Sequence, residues 1–114
     1  MVINLKVINL PAEIEEIMTE STLKVLVSEG SAQVGLAVSQ PGEKIPEQGF
    51  SSHDVEEISY LFSGKIKMET GQKTEIINSG DLVYNPADKQ HRTTNISQEA
   101  AVVLWFAPES LISE

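Results

Sequence analysis

The sequence predicts an all-β domain of the sandwich or barrel kind, and three observations carry that expectation. Short strand-like runs recur along the second half of the chain, at 57–63, 65–70, 73–78, 81–84, 91–95 and 100–106. Turn-forming residues separate them: Gly64, Gly71-Gln72, Ser79-Gly80, Asn85-Pro86 and Ser97-Gln98. Helical periodicity is almost absent. With 114 residues, 40% of them hydrophobic, the chain fits one domain spanning 1–114 around one core.

Residues 2–10 alternate loosely and are rich in β-branched side chains, which predicts a strand pairing at a sheet edge or with a second copy. Over 12–20, Ile14, Ile17 and Met18 stand at helical spacing among acidic residues; two turns of helix and a loop with a short strand both fit. Residues 23–28 read as a strand and Glu29-Gly30-Ser31 as a turn. Residues 33–39 read as a strand with Val34, Leu36 and Val38 on one face. Pro41-Gly42 ends it, and 43–52, with Pro46 and Gly49, reads as a loop or irregular strand.

The net charge is -9 and the isoelectric point lies near 4.6, so no nucleic-acid partner is expected, since phosphate binding needs clustered Lys and Arg. There is no cysteine, hence no disulfide framework and no thiolate nucleophile. The first ten residues carry no basic region ahead of their apolar ones, unlike a signal peptide. No apolar stretch reaches the ~18 residues of a membrane span. The expectation is a cytoplasmic protein with no membrane partner.

Two stretches carry the candidate chemistry. In the first, His53 lies four residues before Glu57, so an imidazole and a carboxylate are expected to enter a strand together at its start, and the strand stops at Gly64. In the second, Gly80, Pro86, His91 and Asn95 punctuate the chain. These stretches resemble the paired motifs of the cupin family, Gly-x5-His-x-His-x3-Glu-x6-Gly and Gly-x5-Pro-x-Gly-x2-His-x3-Asn. His53, Glu57 and Gly64 match in the first motif; Gly80, Pro86, His91 and Asn95 match in the second. Three positions depart: Ile45 stands for the leading glycine, Ser51 for the first histidine, and Asp88 for the glycine after Pro86.

The resemblance covers about 34–106. It implies a double-stranded β-helix, the jelly-roll form of barrel, and a divalent transition metal (Fe, Mn, Zn or Ni) held by His53, Glu57 and His91. It also implies isomerase, lyase or dioxygenase chemistry on a small oxygen-bearing metabolite, with Glu57 or a bound water moving a proton. A non-catalytic module that binds a small molecule or stabilises a partner is the alternative, favoured by the serine at 51.

Strand alternation adds detail. If Glu57 faces inward, so do Ser59, Leu61 and Ser63, while Ile58, Tyr60 and Phe62 face outward; an inward His91 carries Thr93 and Asn95 with it. Ser51, Ser59 and Thr93 are therefore the candidate substrate-binding residues, with Ser51 expected on the strand and face of His53. Asp54 and Glu56 are expected to turn away from the site. Trp105, the one tryptophan, reads as core packing more readily than as a substrate platform. The apolar outer face of the site strand, with Met1 to Leu10, predicts a homodimer.

Overall fold

The structure, a computed structural model, describes residues 4–108. One helix and nine strands follow in the order α1 (Leu10–Ile17), β1 (Thr22–Glu29), β2 (Ala32–Ser39), β3 (Lys44–Ile45), β4 (Glu57–Ser63), β5 (Lys65–Thr70), β6 (Thr74–Asn78), β7 (Leu82–Asn85), β8 (His91–Asn95) and β9 (Ala101–Ala107). All pairing is antiparallel. The strands form a five-stranded sheet, β1-β2-β9-β4-β7, and a four-stranded sheet, β3-β8-β5-β6. Leu61 and Ala101 from the first sheet pack with Ile66 and Ile77 from the second in one buried cluster, so the sheets lie face to face as in a jelly roll.

Among the described residues, the strand expected over 2–10 is not there. Residues 1–3 lie outside the described residues, 4–9 have no regular secondary structure, and Leu10 opens the helix. The signal that wins is a helix start: the Asn9 side chain accepts from the Ala12 N–H at 2.9 Å, and Pro11 sits in the first turn, where its missing N–H costs nothing. Leu10, Ile14 and Ile17 then share the half-buried face. The Ile pair packs on Leu36, Val38 and Val102.

That second cluster lies on the outer side of the five-stranded sheet. Val34, Leu36 and Val38 do share a face, but it is the one roofed by α1 and not the one between the sheets. Complete burial of a residue such as Leu36, 0% exposed, contributes roughly 1.5–3 kcal/mol. Lys24, on the same side of β1, holds the helix down by pairing with Glu13 at 2.9 Å; the hydrogen bond to Glu13 raises the ammonium above its ordinary pKa.

Gly64 is the single residue between β4 and β5, where the chain leaves one sheet for the other. Its φ is +89°, and a Cβ there would stand 2.8 Å from the Ala101 Cα. Both the turn and the contact require glycine. The strand register also slips between Leu61 and Ser63, so the inward alternation expected through Ser63 ends at Leu61. Ser63 instead hydrogen-bonds the Ala100 carbonyl at 3.3 Å.

Candidate functional site

Between the two sheets lies a cavity of about 280 Å³ whose lining includes Ser51, His53, Glu57, Ser59, His91 and Thr93. These are all six side chains that the sequence nominates, and they come from β4, β8 and the segment before β4.

Glu57 opens β4 opposite Asn85, the last residue of β7. Its Oε1 accepts from Ser59 Oγ at 3.0 Å and from Asn85 Nδ2 at 3.5 Å. Its Oε2 takes no hydrogen bond among the described residues, which leaves one carboxylate oxygen for a visitor. His91 opens β8, and its Nδ1 lies 3.3 Å from the Lys89 carbonyl oxygen. A carbonyl can only accept, so this contact puts the proton of a neutral ring on Nδ1 and leaves the lone pair on Nε2.

His53 does not enter the strand with Glu57; it sits in the bent segment before β4. Its backbone is fixed from the neighbouring loop, where the Asp88 N–H donates to the His53 carbonyl at 2.6 Å. Asp88 has φ +62°, a left-handed conformation that aspartate tolerates better than most residues, and it stands where the motif carries glycine. The two imidazoles meet with ring centroids 5.5 Å apart and planes tilted by 59°.

Ser51 and His53 therefore do not share a strand: Ser51 is an isolated bridge residue, and Ser52 and His53 have no regular secondary structure. Ser51 pairs across to β8 instead, as an isolated antiparallel bridge to His91. The bridge exchanges both backbone bonds, Ser51 N to His91 O at 3.0 Å and His91 N to Ser51 O at 2.8 Å. Directly opposed residues present their side chains on the same face, so Ser51 is the immediate neighbour of the His91 ring.

The implied metal set meets this geometry only in part. His53 and His91 face one another, but the Glu57 carboxylate is held by Ser59 and Asn85. Among the described residues no three His, Cys, Asp or Glu side chains gather closely enough to hold an ion. Two imidazoles fit a transition ion by chemistry, while the three-ligand set does not close.

Other expected residues have structural work. Asn95 does not line the cavity: 2% exposed, it donates to the carbonyls of Ser39 and Glu99 and accepts from Ser97. Asp54 and Glu56 are exposed, as expected. Glu56 accepts from the Tyr84 hydroxyl at 2.9 Å, and that bond raises the phenol above its ordinary pKa. Trp105 is buried, as the core reading holds, and also lines the cavity. The sequence reading missed Asn85 because it closed the strand run at 84 and took Asn85-Pro86 as turn; one more residue of alternation after Val83 would have found it.

The Cupin_2 family, the cupin domain, matches residues 35–107. The chain belongs to the cupin family. Among solved structures, the cupin is similar to a cupin-2 domain protein from Shewanella frigidimarina, at 14% identity and a TM-score of 0.73, covering 90% of this chain and 95% of that one. It is also similar to a Bacillus halodurans protein, at 19% identity and a TM-score of 0.78, covering 94% and 83%. Identities this low speak for the fold alone. A curated relative, the polyketide synthase CurC of Streptomyces cyaneus, is 29% identical over 85 residues, covering 74% of this cupin and 54% of that protein. The chain spans about half the length of the curated relatives it matches.

Proposed function

We propose that this cupin takes a small oxygen-bearing molecule into the cavity between its sheets, where His53, His91 and Glu57 act on it. The supporting observation is the convergence of all six nominated residues on one cavity between the sheets. Such a space with a few convergent polar groups is the form that ligand sites take. His91 Nε2 accepts a hydrogen bond or a proton from a ligand hydroxyl, and the Glu57 Oε2 serves a second position on the same molecule, an acid–base pair suited to isomerase or lyase steps. The likeness to a protein named as a polyketide synthase agrees with chemistry on a small organic molecule.

The alternative, a binding module without turnover, is favoured by Ser51, which leaves the imidazole set one short. A divalent ion (Fe, Mn, Zn or Ni) would find its two best ligands in His53 and His91. The test is a screen of small metabolites by thermal unfolding of wild type and His91→Ala. Compounds that raise the wild-type midpoint are expected to lose that effect in the variant. Retention of the full shift in His91→Ala contradicts the site.

We also propose that a second copy covers the outer face of β4. Ile58, Tyr60 and Phe62 project there beside Leu82, Tyr84 and Phe106 on the paired strands β7 and β9; Leu82 and Tyr84 are 69% and 58% exposed. The helix roofs only the other half of this face. With a net charge of -9, copies associate most readily through an uncharged patch, and two-fold pairing is the commonest arrangement. Light scattering at micromolar concentration is expected to give twice the chain mass, and a Phe62→Glu variant the single mass. A monomeric wild type contradicts the proposal.

A further inference from the structure

The strand registers grade the cavity from polar to apolar. At one end stand Glu57 opposite Asn85, and Ser51 opposite His91. Further along β4 and β9 the lining passes Ser59, whose partner on β9 is Trp105, and reaches Leu61 opposite Val103. There the space is closed by Ile66 and Ile77 from the facing sheet. Among the described residues no lysine or arginine lines it, and the only carboxylate is Glu57.

From this grading we infer that the ligand is an uncharged ring compound, largely hydrocarbon, with a hydroxyl or carbonyl oxygen at one end, of the phenol or cyclic enone kind. This deepens, and rests on, the reading of the cavity as the ligand site. An organic anion would be buried beside the Glu57 carboxylate with no fixed cation to offset it. A polyol would turn hydroxyls toward Leu61, Val103 and Ile66, where none finds a hydrogen bond. A cavity of about 280 Å³ is at the small end for ligand pockets and suits one ring system. The Trp105 indole, 3% exposed, forms part of the wall between the two ends, and its ring N–H is buried with no hydrogen-bond partner among the described residues, a donor available to the oxygen of a ring compound.

Trp105 is the sole tryptophan, so its fluorescence reports on this wall alone. Titration of the purified chain with para-ethylphenol is expected to change Trp105 emission saturably. The anionic analogue para-methylbenzoate is expected to bind at least about tenfold more weakly, and glucose to give no response. Ala37 lines the cavity opposite Val103, and two separate fillings of this apolar end, Ala37→Leu and Val103→Phe, are each expected to weaken the phenol by about tenfold or more, with circular dichroism establishing that each variant is folded. Selectivity of the wild type decides the matter even if neither variant folds. Benzoate or glucose binding as tightly as the phenol, and blocked by the fillings, overturns the ligand class while leaving the cavity reading intact. A phenol response untouched by the fillings overturns both, and the absence of any saturable response to the phenol overturns the inference.

Discussion

Ser51→His binds Mn(II) and Zn(II) at least roughly tenfold more tightly than the wild type in calorimetric titrations of the metal-free proteins. The expectation follows from the backbone bridge between Ser51 and His91, which sets the new side chain directly beside the His91 ring, itself 5.5 Å from that of His53. A hydroxyl is a neutral, poorly coordinating group, whereas an imidazole nitrogen is a strong ligand for every ion considered. The substitution therefore turns two imidazoles into three without asking Glu57 to leave Ser59 and Asn85. The bridge bonds are between main-chain atoms, so the backbone has no reason to move. Equal affinities for wild type and variant would mean that position 51 does not face the imidazole pair.

Gly35→Ala is the substitution expected to cost most in stability, about 3 kcal/mol. Gly35 pairs with Trp105 across β2 and β9, and the indole lies on the glycine backbone. A Cβ at this position would stand 2.3 Å from the indole Cζ2 and 2.6 Å from the Lys24 carbonyl oxygen. One obstacle is main chain on the neighbouring strand and the other is a large buried ring, so neither yields cheaply. Trp105 is the group with room to move, since it borders the cavity. Urea unfolding is expected to show the loss, accompanied by a shifted Trp105 emission in the folded state. A midpoint unchanged from wild type would mean that the indole does not rest on Gly35.

Most strands were legible because their ends are marked by residues with one physical job. Gly64 is an example: it turns the chain between sheets at positive φ and packs on Ala101, and the sequence shows it as a break between two apolar runs. The pairing of His53, Glu57 and His91 with one space was legible through motif spacing, which encodes the barrel's register. Where the reading failed, the deciding information was not local. The apolar residues of 2–10 suggested a strand, and the Asn9 cap with Pro11 made the last of them a helix. Val34, Leu36 and Val38 were correctly grouped, but only the docked helix decides that their face is the outer one. Trp105 joined the cavity through its opposition to Gly35 and Ser59, a register that no pattern within β9 discloses. The Glu57 carboxylate hydrogen-bonds Asn85, which arrives from a different strand, a pairing that the motif spacing does not disclose.

The most direct measurement uses the chain's two histidines as reporters. Imidazole nitrogen spectra of the labelled protein are recorded while para-ethylphenol is added. If the cavity is the ligand site, the ring signals of His53 and His91 shift together, saturate with the same dissociation constant, and do so in step with the Trp105 fluorescence. Saturable binding seen at Trp105 while both imidazole spectra stay unchanged would contradict the account, because it would separate the polar end of the cavity from the ligand.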